Sequence, residues 1–327
     1  MSSKTNPLVS VVIPAWNAEK YLPETLESVF GQTYRPIEVI VVDDGSVDAT
    51  VSVVEQYAQA VPGADSSSLV CIRQKNAGPS AARNRGIRAS AGEYVALLDS
   101  DDLWPADKLS SQVALMEEHK DAFLVFGDVQ RFSDGKKARP SMFRNKGLGP
   151  EFFGGGFYVE NAFEKLLETN YIPTGTVMLR RGFEESAGLF DEDFRQVEDV
   201  ELWCRVALKH RMGYSSEVWE LKRDHGSNVS NDNEAMQASY IRVLEKLERE
   251  FAGELRARGV SIDRCFAVAY QRLGYICMAK NSNPRARKYL WKSMLRRPRL
   301  KTLVYLLSAL ARNKSGADLT GLQAADK

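Results

Sequence analysis

Over the first hundred residues, short and nearly unbroken apolar runs alternate with longer segments whose apolar residues recur at helical spacing. Leu8 to Ile13, Ile37 to Val42, Leu69 to Ile72 and Tyr94 to Leu98 are the short runs. Brief and bounded by turn residues, they read as strands, and their continuous apolarity suits strands covered on both faces. Between them, residues 18–30 carry Tyr21, Leu22, Leu26, Val29 and Phe30 on one helical face. Asp48 opens a helix to about Ala60, and Pro79 suits the first turn of another to about Ala89. The alternation predicts an α/β fold: a mostly parallel sheet flanked by helices, with right-handed crossovers.

Further along, residues 105–118 continue as a helix and Ala122 to Gly127 reads as a fifth strand. Residues 133–157 are polar and rich in Gly, Lys and Arg, which predicts a mobile loop over the site. Asn170 to Arg180 reads as a loop entering a strand, with Thr174 and Gly175 its notable residues. Val200, Leu202, Trp203, Val206, Ala207 and Leu208 give a helix with a broad apolar face, and Val218 to Leu221 is strand-like. From Met236 the pattern becomes wholly helical, with amphipathic segments at 236–255, 262–279, 284–295 and 299–313. The expected organisation is a catalytic domain at 1–232, with halves at about 8–104 and 105–232, and a helical extension at 233–327.

Charge matters through its distribution. Lys plus Arg total 44 against 43 for Asp plus Glu, yet Lys280 to Gly316 holds 11 basic residues and no acid. Basic charge beside an apolar helix too short to span predicts contact with an anionic membrane surface through 280–316. Packing as a bundle, a dimer contact and a solenoid-like stack compete with that reading. Nucleic acid is not expected, since the stretch lacks aromatics spaced for base stacking. Cys71, Cys204, Cys265 and Cys277 make no close pair, so neither a disulfide framework nor a zinc site is expected. A polar start and the lack of any long apolar run predict a cytosolic protein. His119 and His210 are expected at the surface.

The chemistry gathers where strands end. Three of the strands run into polar loops: Pro14-Ala15-Trp16-Asn17, Asp43-Asp44-Gly45-Ser46 and Asp99-Ser100-Asp101-Asp102. Parallel strands bring all three to one rim, where ligands of open α/β sheets bind. Asp43 suits imide or ribose donors, and the acids at 99–102 suit Mg²⁺ or Mn²⁺. Together they imply a nucleoside diphosphate. A solvated acidic loop capping the next helix would satisfy the last motif equally. There is no P-loop and no G-x-G-x-x-G.

Four blocks together resemble the family-2 glycosyltransferases of the GT-A fold. They are Val11 to Asn17, Val41 to Ser46, Asn76 to Gly86 and Leu98 to Asp102, in the family's order and spacing. The resemblance spans roughly residues 8–230. It implies an inverting transfer from a nucleotide sugar, with UDP expected first and dTDP or GDP open. It places Pro14, Asn17, Asp43, Asn76, Arg83 and Asp99 around the donor. It makes Asp99 and Asp101 the Asp-x-Asp metal pair, with His225 as a third ligand. It makes Glu198-Asp199 the catalytic acids, Asp199 being the base and Glu198 an orienting group. Plain structural roles compete: Arg83 as a surface helix residue, Asn84 as a packing amide, Pro14 as a strand stop, Asp199 as a helix cap. The implied acceptor is a hydroxyl of a glycan or a lipid-linked saccharide. A nucleotidyltransferase, or an inactive nucleotide-sugar-binding protein, would share the sheet and the acids.

Overall fold

The computed structural model describes residues 6–60, 67–133, 139–225 and 233–311. The chain divides into two compact units, Met1–Asn228 and Val229–Lys327. In chain order the first unit begins with β1 (Val9–Ala15), α1 (Leu22–Phe30), β2 (Ile37–Asp43), α2 (Thr50–Ala60), β3 (Ser67–Arg73), α3 (Pro79–Ala89) and β4 (Tyr94–Leu97). It continues with α4 (Lys108–Glu118), β5 (Ala122–Phe132), α5 (Met142–Lys146), α6 (Pro150–Phe153), α7 (Ala162–Glu168), β6 (Met178–Arg180), α8 (Phe183–Ala187), α9 (Glu198–Lys209) and β7 (Arg211–Arg223).

The strands form one sheet in the order β3-β2-β1-β4-β6-β5-β7. Neighbours are parallel except at β6, which runs antiparallel to both β4 and β5. The expected halves at 8–104 and 105–232 therefore share this sheet. The chain steps outward from β1 to β3 and then returns to β4 on the other side of β1. That reversal opens a crevice at the carboxyl ends of β1 and β4.

Strand periodicity divides the core. Ile37, Val39 and Val41 of β2 join Val9, Val11 and Ile13 of β1 in a cluster with Leu22 and Leu26 of α1 and Leu109 and Val113 of α4. Ile40 and Val42 point the other way, to Ala82 of α3. Helix α3 approaches that face closely: a Cβ on Gly86 would stand 2.4 Å from a methyl of Val12.

Three expectations change. The segment 133–157 is not an unstructured cover: its described part carries α5 and α6. Phe143 and Phe153 are buried against Phe126, Tyr171 and Tyr214, with Phe153 stacked on Tyr214 at 4.0 Å. Asp128 accepts the Phe143 amide at 2.9 Å, fixing the start of α5. The last strand is longer than Val218 to Leu221, because it begins at Arg211 beside β5. His119 and His210 are only partly exposed. They stack on Phe157 at 3.8 Å and Phe123 at 3.9 Å, and burial pushes the His210 ring below its usual range.

The second unit holds α10 (Asn233–Glu250), α11 (Ala252–Ala257), α12 (Asp263–Ala279), α13 (Asn283–Arg296) and α14 (Leu300–Ala311). Gly274 lets α12 meet α13, since a Cβ there would lie 2.7 Å from Leu290. Some of the basic excess is used internally: Lys280 and Arg285 pair with Glu234, and Arg296 with Glu248 and Asp263. Residues 134–138 of the expected loop and 312–316 of the basic stretch lie outside the described residues. No described helix is long and apolar enough to cross a membrane, and none of the four cysteines is in a disulfide.

Helix propensity and packing make opposite predictions at Gly86. An exposed Gly→Ala in a helix gains about 1 kcal/mol. Overpacking against Val12 costs about 1–3 kcal/mol, so Gly86→Ala should lower stability in urea unfolding rather than raise it.

Candidate active site

The three rim loops are tied to one another by their own backbone and carboxylates. The Asp44 amide donates to the Ala15 carbonyl at 2.8 Å, and the Leu98 amide donates to Val12 at 3.2 Å. Asp43, buried at the end of β2, accepts the Ser46 amide at 3.1 Å. Asn17, at a left-handed φ of 50°, accepts the Val47 amide at 2.9 Å. Its own amide donates to Ser46 Oγ at 2.9 Å. Pro14 pairs with Val42 in the ladder just before these loops.

Asp44 performs a task the sequence reading passed over. Its two oxygens accept Gln74 Nε2 and the amides of Ala77 and Gly78, each at 2.8 Å. The buried carboxylate thus shapes the turn that carries Asn76 and leads into α3. Asn76 is exposed on this turn, close to Gly45.

Arg83 is not a surface residue. It is 5% exposed, and its guanidinium donates to Asp99 at 2.7 Å and to Glu198 at 2.8 Å. One cation therefore joins the end of β4 to the start of α9, 115 residues away. Next to it on α3, Asn84 is a packing amide: it donates to the Phe190 carbonyl and to Glu192, and accepts the Phe190 amide. These bonds hold the segment that leads into α9.

Asp99 has a second cation. Lys222 Nζ lies 3.6 Å from it, 3.0 Å from Asp102 and 3.7 Å from Glu220. Burial would raise the Asp99 carboxyl, but Arg83 and Lys222 outweigh it and hold it at about 2. The same three carboxylates keep Lys222 charged, well above its usual range, despite burial.

The end of β7 also clamps the acidic loop. Leu221 and Leu103 exchange backbone hydrogen bonds at 2.8 and 3.0 Å. Asp102 accepts the Arg223 amide at 2.8 Å. Arg223 Nε donates to the Asp101 carbonyl at 3.2 Å. Lys222, Arg223 and Glu220 went unnoticed in the sequence because a Lys-Arg pair reads as solvated surface. The usable signal was strand alternation, which puts Glu220 and Lys222 on one side of β7.

Asp101 and His225 remain partly open, with side chains 30% and 17% exposed and Oδ2 2.7 Å from Nε2. Tyr21 stacks on His225 at 5.1 Å and orients its ring. Asp101 and His225 are hydrogen-bonded to each other, and as a carboxylate and an imidazole they are ligand types that suit Mn²⁺, which would take the place of that bond. Among the described residues no group of three or more His, Cys, Asp or Glu forms a metal cage. Any ion here would take its remaining ligands from water or from a bound phosphate.

Asp199 stands in the first turn of α9, behind Val197 at a left-handed φ of 55°. A β-branched residue in that region costs about 1–3 kcal/mol and marks a position the surroundings impose. Asp199 accepts Asn170 Nδ2 at 3.2 Å and Thr174 Oγ1 at 3.3 Å, and its own following amide at 2.7 Å. Burial, and then the neighbouring Glu198, push its carboxyl up to about 6. Thr174 and Gly175 stand in a short 3₁₀ turn between α7 and β6. Gly175 has no room for a side chain, because a Cβ would lie 2.6 Å from Glu220.

A family model described as Glycosyl transferase family 2 matches residues 10–186. An uncharacterized glycosyltransferase of Rickettsia felis is 32% identical over 237 residues, covering 72% of this chain and 36% of its own length. The chain spans well under half of the Rickettsia relatives it matches first. A putative teichuronic acid biosynthesis glycosyltransferase of Bacillus subtilis is 29% identical, covering 74% of this chain and 89% of its own. Among solved structures, S. aureus TarS 1–349 in complex with UDP-GlcNAc superposes with a TM-score of 0.65 and 19% identity, over 94% of this chain and 92% of that one. A mannosyltransferase of Pyrobaculum calidifontis in complex with GDP-Man and Mn²⁺ gives 0.58 and 20%, over 96% and 89%. At these identities the structural likeness is one of fold.

The Asp199 carboxyl is directly testable. Its NMR titration should show a midpoint at about 6, and Glu198→Gln should lower it by removing the adjacent negative charge. A folded-state value raised above the unfolded one means that stability falls as pH rises from about 4 to about 6. Asp199→Asn should flatten that slope in urea unfolding.

Proposed function

Because the chain belongs to glycosyl transferase family 2, we propose that it moves a sugar from a nucleoside diphosphate to a hydroxyl of a growing glycan or lipid-linked saccharide, with inversion at the anomeric carbon. The observation that carries the reading is Asp199. It is a carboxylate raised to about 6, hydrogen-bonded by Asn170 and Thr174, and linked through Glu198 and Arg83 to the acidic end of β4.

In this reading the roles combine the family resemblance with the geometry of the site. Pro14, Asn17, Asp43 and Asn76 line the base and ribose side, where Asp43 accepts donor hydrogens. Asp101 and His225 would hold the divalent cation. When bound, it supplies charge relief to the departing diphosphate. Asp99, already paired with Arg83 and Lys222, positions Arg83 and keeps the loop in place. Asp199 takes the acceptor hydroxyl's proton as that oxygen attacks from the face opposite the leaving group. Glu198, engaged by Arg83, is an orienting group rather than a second base. Nucleotidyl transfer to a sugar phosphate would leave Asp199 without a proton to remove, which counts against that reaction.

UDP is the preferred nucleotide in this reading, supported by the UDP-GlcNAc complex of TarS, and Mn²⁺ by the Pyrobaculum mannosyltransferase complex. The name of the B. subtilis relative supports a polysaccharide product. The enzyme would work on the cytoplasmic face of a membrane, touching its anionic surface through 280–316.

Asp101→Ala should abolish Mn²⁺-dependent donor binding in calorimetry. Asp199→Asn should bind donor normally but lose transfer by roughly 10²–10⁴-fold, the usual contribution of a positioned base. For the wild type, kcat/KM should rise with pH to a plateau above about 6. Wild-type turnover by Asp199→Asn would refute the assignment of the base.

A further inference from the structure

Helix α14 is apolar on two faces. Thr302, Leu306 and Ala309 are buried and supply its packing within the second unit. Leu303, Val304, Leu307 and Leu310, spaced three and four apart, form another stripe, yet they are 39%, 45%, 57% and 49% exposed. A surface helix needs only one apolar stripe to pack, so the second has some other contact to make. The end of α13 repeats the feature one turn apart, with Trp291 at 57% and Leu295 at 70% exposure.

The stretch that carries these residues has charge of one sign, although Lys280, Arg285 and Arg296 are paired with Glu234, Glu248 and Asp263. Residues 280–311 contain nine Lys or Arg and no acid. Arg297 and Arg299 occupy the turn between α13 and α14, between exposed Leu295 and Leu300. Against a second copy of the chain this face would meet its own positive charge. Against anionic headgroups it meets the opposite sign, with Trp at the depth where its ring is favoured. Twelve residues of helix reach about 18 Å, against about 30 Å of hydrocarbon, so α14 would lie along the surface.

We propose that the exposed stripe of α14, with Trp291 and Leu295, seats in the headgroup region of an anionic bilayer, and that Arg297 and Arg299 select the negative lipid. This rests on the membrane contact proposed above and assigns it to particular side chains.

The test is flotation of the full chain with vesicles of phosphatidylcholine, or of equal parts phosphatidylcholine and phosphatidylglycerol. Binding is expected to the mixed vesicles and not to the neutral ones. Leu303→Asn with Leu307→Asn should weaken it at least about tenfold through lost apolar burial. Arg297→Gln with Arg299→Gln should weaken it by about thirtyfold at low salt. None of the four side chains is buried, so circular dichroism should be unchanged. Sugar transfer to a soluble acceptor, followed in the same samples, reports separately on the enzymatic reading. The proposal is overturned by equal binding to neutral vesicles, or by undiminished binding of the leucine variant. It is also overturned by light scattering that shows a wild-type dimer which the leucine variant dissolves, since the face would then belong to a second copy.

Discussion

The site depends on one buried guanidinium. Arg83 reaches from α3 to Asp99 at 2.7 Å and to Glu198 at 2.8 Å, with almost no access to water. Each acid alone could be solvated at a loop. Brought together beside Asp199, they would repel one another in a poorly polarisable setting. Truncating one member of such a buried network costs about 3–5 kcal/mol, because the remaining charges are left without a partner. Since a guanidinium never loses its proton in a protein, the link persists across the working pH range. The rim of the β-sheet and the start of α9 are therefore held in register before any ligand arrives.

This bears on how two kinds of cation share the acids. Arg83 and Lys222 are bonded to the chain and engage Asp99, Asp102, Glu198 and Glu220. Their role is architectural: they let carboxylates crowd the end of a buried strand. Asp101 and His225 are bonded to each other and stay partly exposed. In the proposed reaction a mobile cation would meet this pair, because Asp99, though similarly exposed, is already held by Arg83 and Lys222. The backbone exchange between Leu103 and Leu221 keeps the two sets on one short ladder, so the open pair cannot drift from the fixed one.

Much of this was legible in the chain, and the missing parts share a cause. Strands β1, β2 and β4 announced themselves because both faces are buried, which leaves uninterrupted apolar runs. The acids at their ends stood out because loops display polar residues openly. The antiparallel β6 has only three residues, too few for a period. Residues 139–157 looked like a loop because Gly and basic residues outnumber the few aromatics that anchor it, and Phe143 and Phe153 gain meaning only beside Tyr171 and Tyr214. Arg83 was ambiguous for the same reason. An arginine on a helix is normally solvated, and the partner that buries it lies 115 positions on. Local pattern identifies the elements, whereas long-range pairing decides which polar residues turn inward.

The adjacent acids Glu198 and Asp199 show how that pairing divides labour. They share a helix start, and from their identities alone either could remove a proton. Arg83 engages Glu198 directly, so its negative charge is spent on a fixed ion pair. Asp199 accepts neutral donors from Asn170, Thr174 and the Val200 amide, while burial and then Glu198 disfavour its charge and outweigh the more distant Arg83. In the proposed transfer, a carboxyl raised to about 6 would hold the proton more firmly than an ordinary one and still be ionised near neutral pH. The same Glu198 that secures the architecture through Arg83 thus also raises the proton affinity of its neighbour. The strained Val197 just before them is consistent with a turn set by these contacts rather than by its own preference.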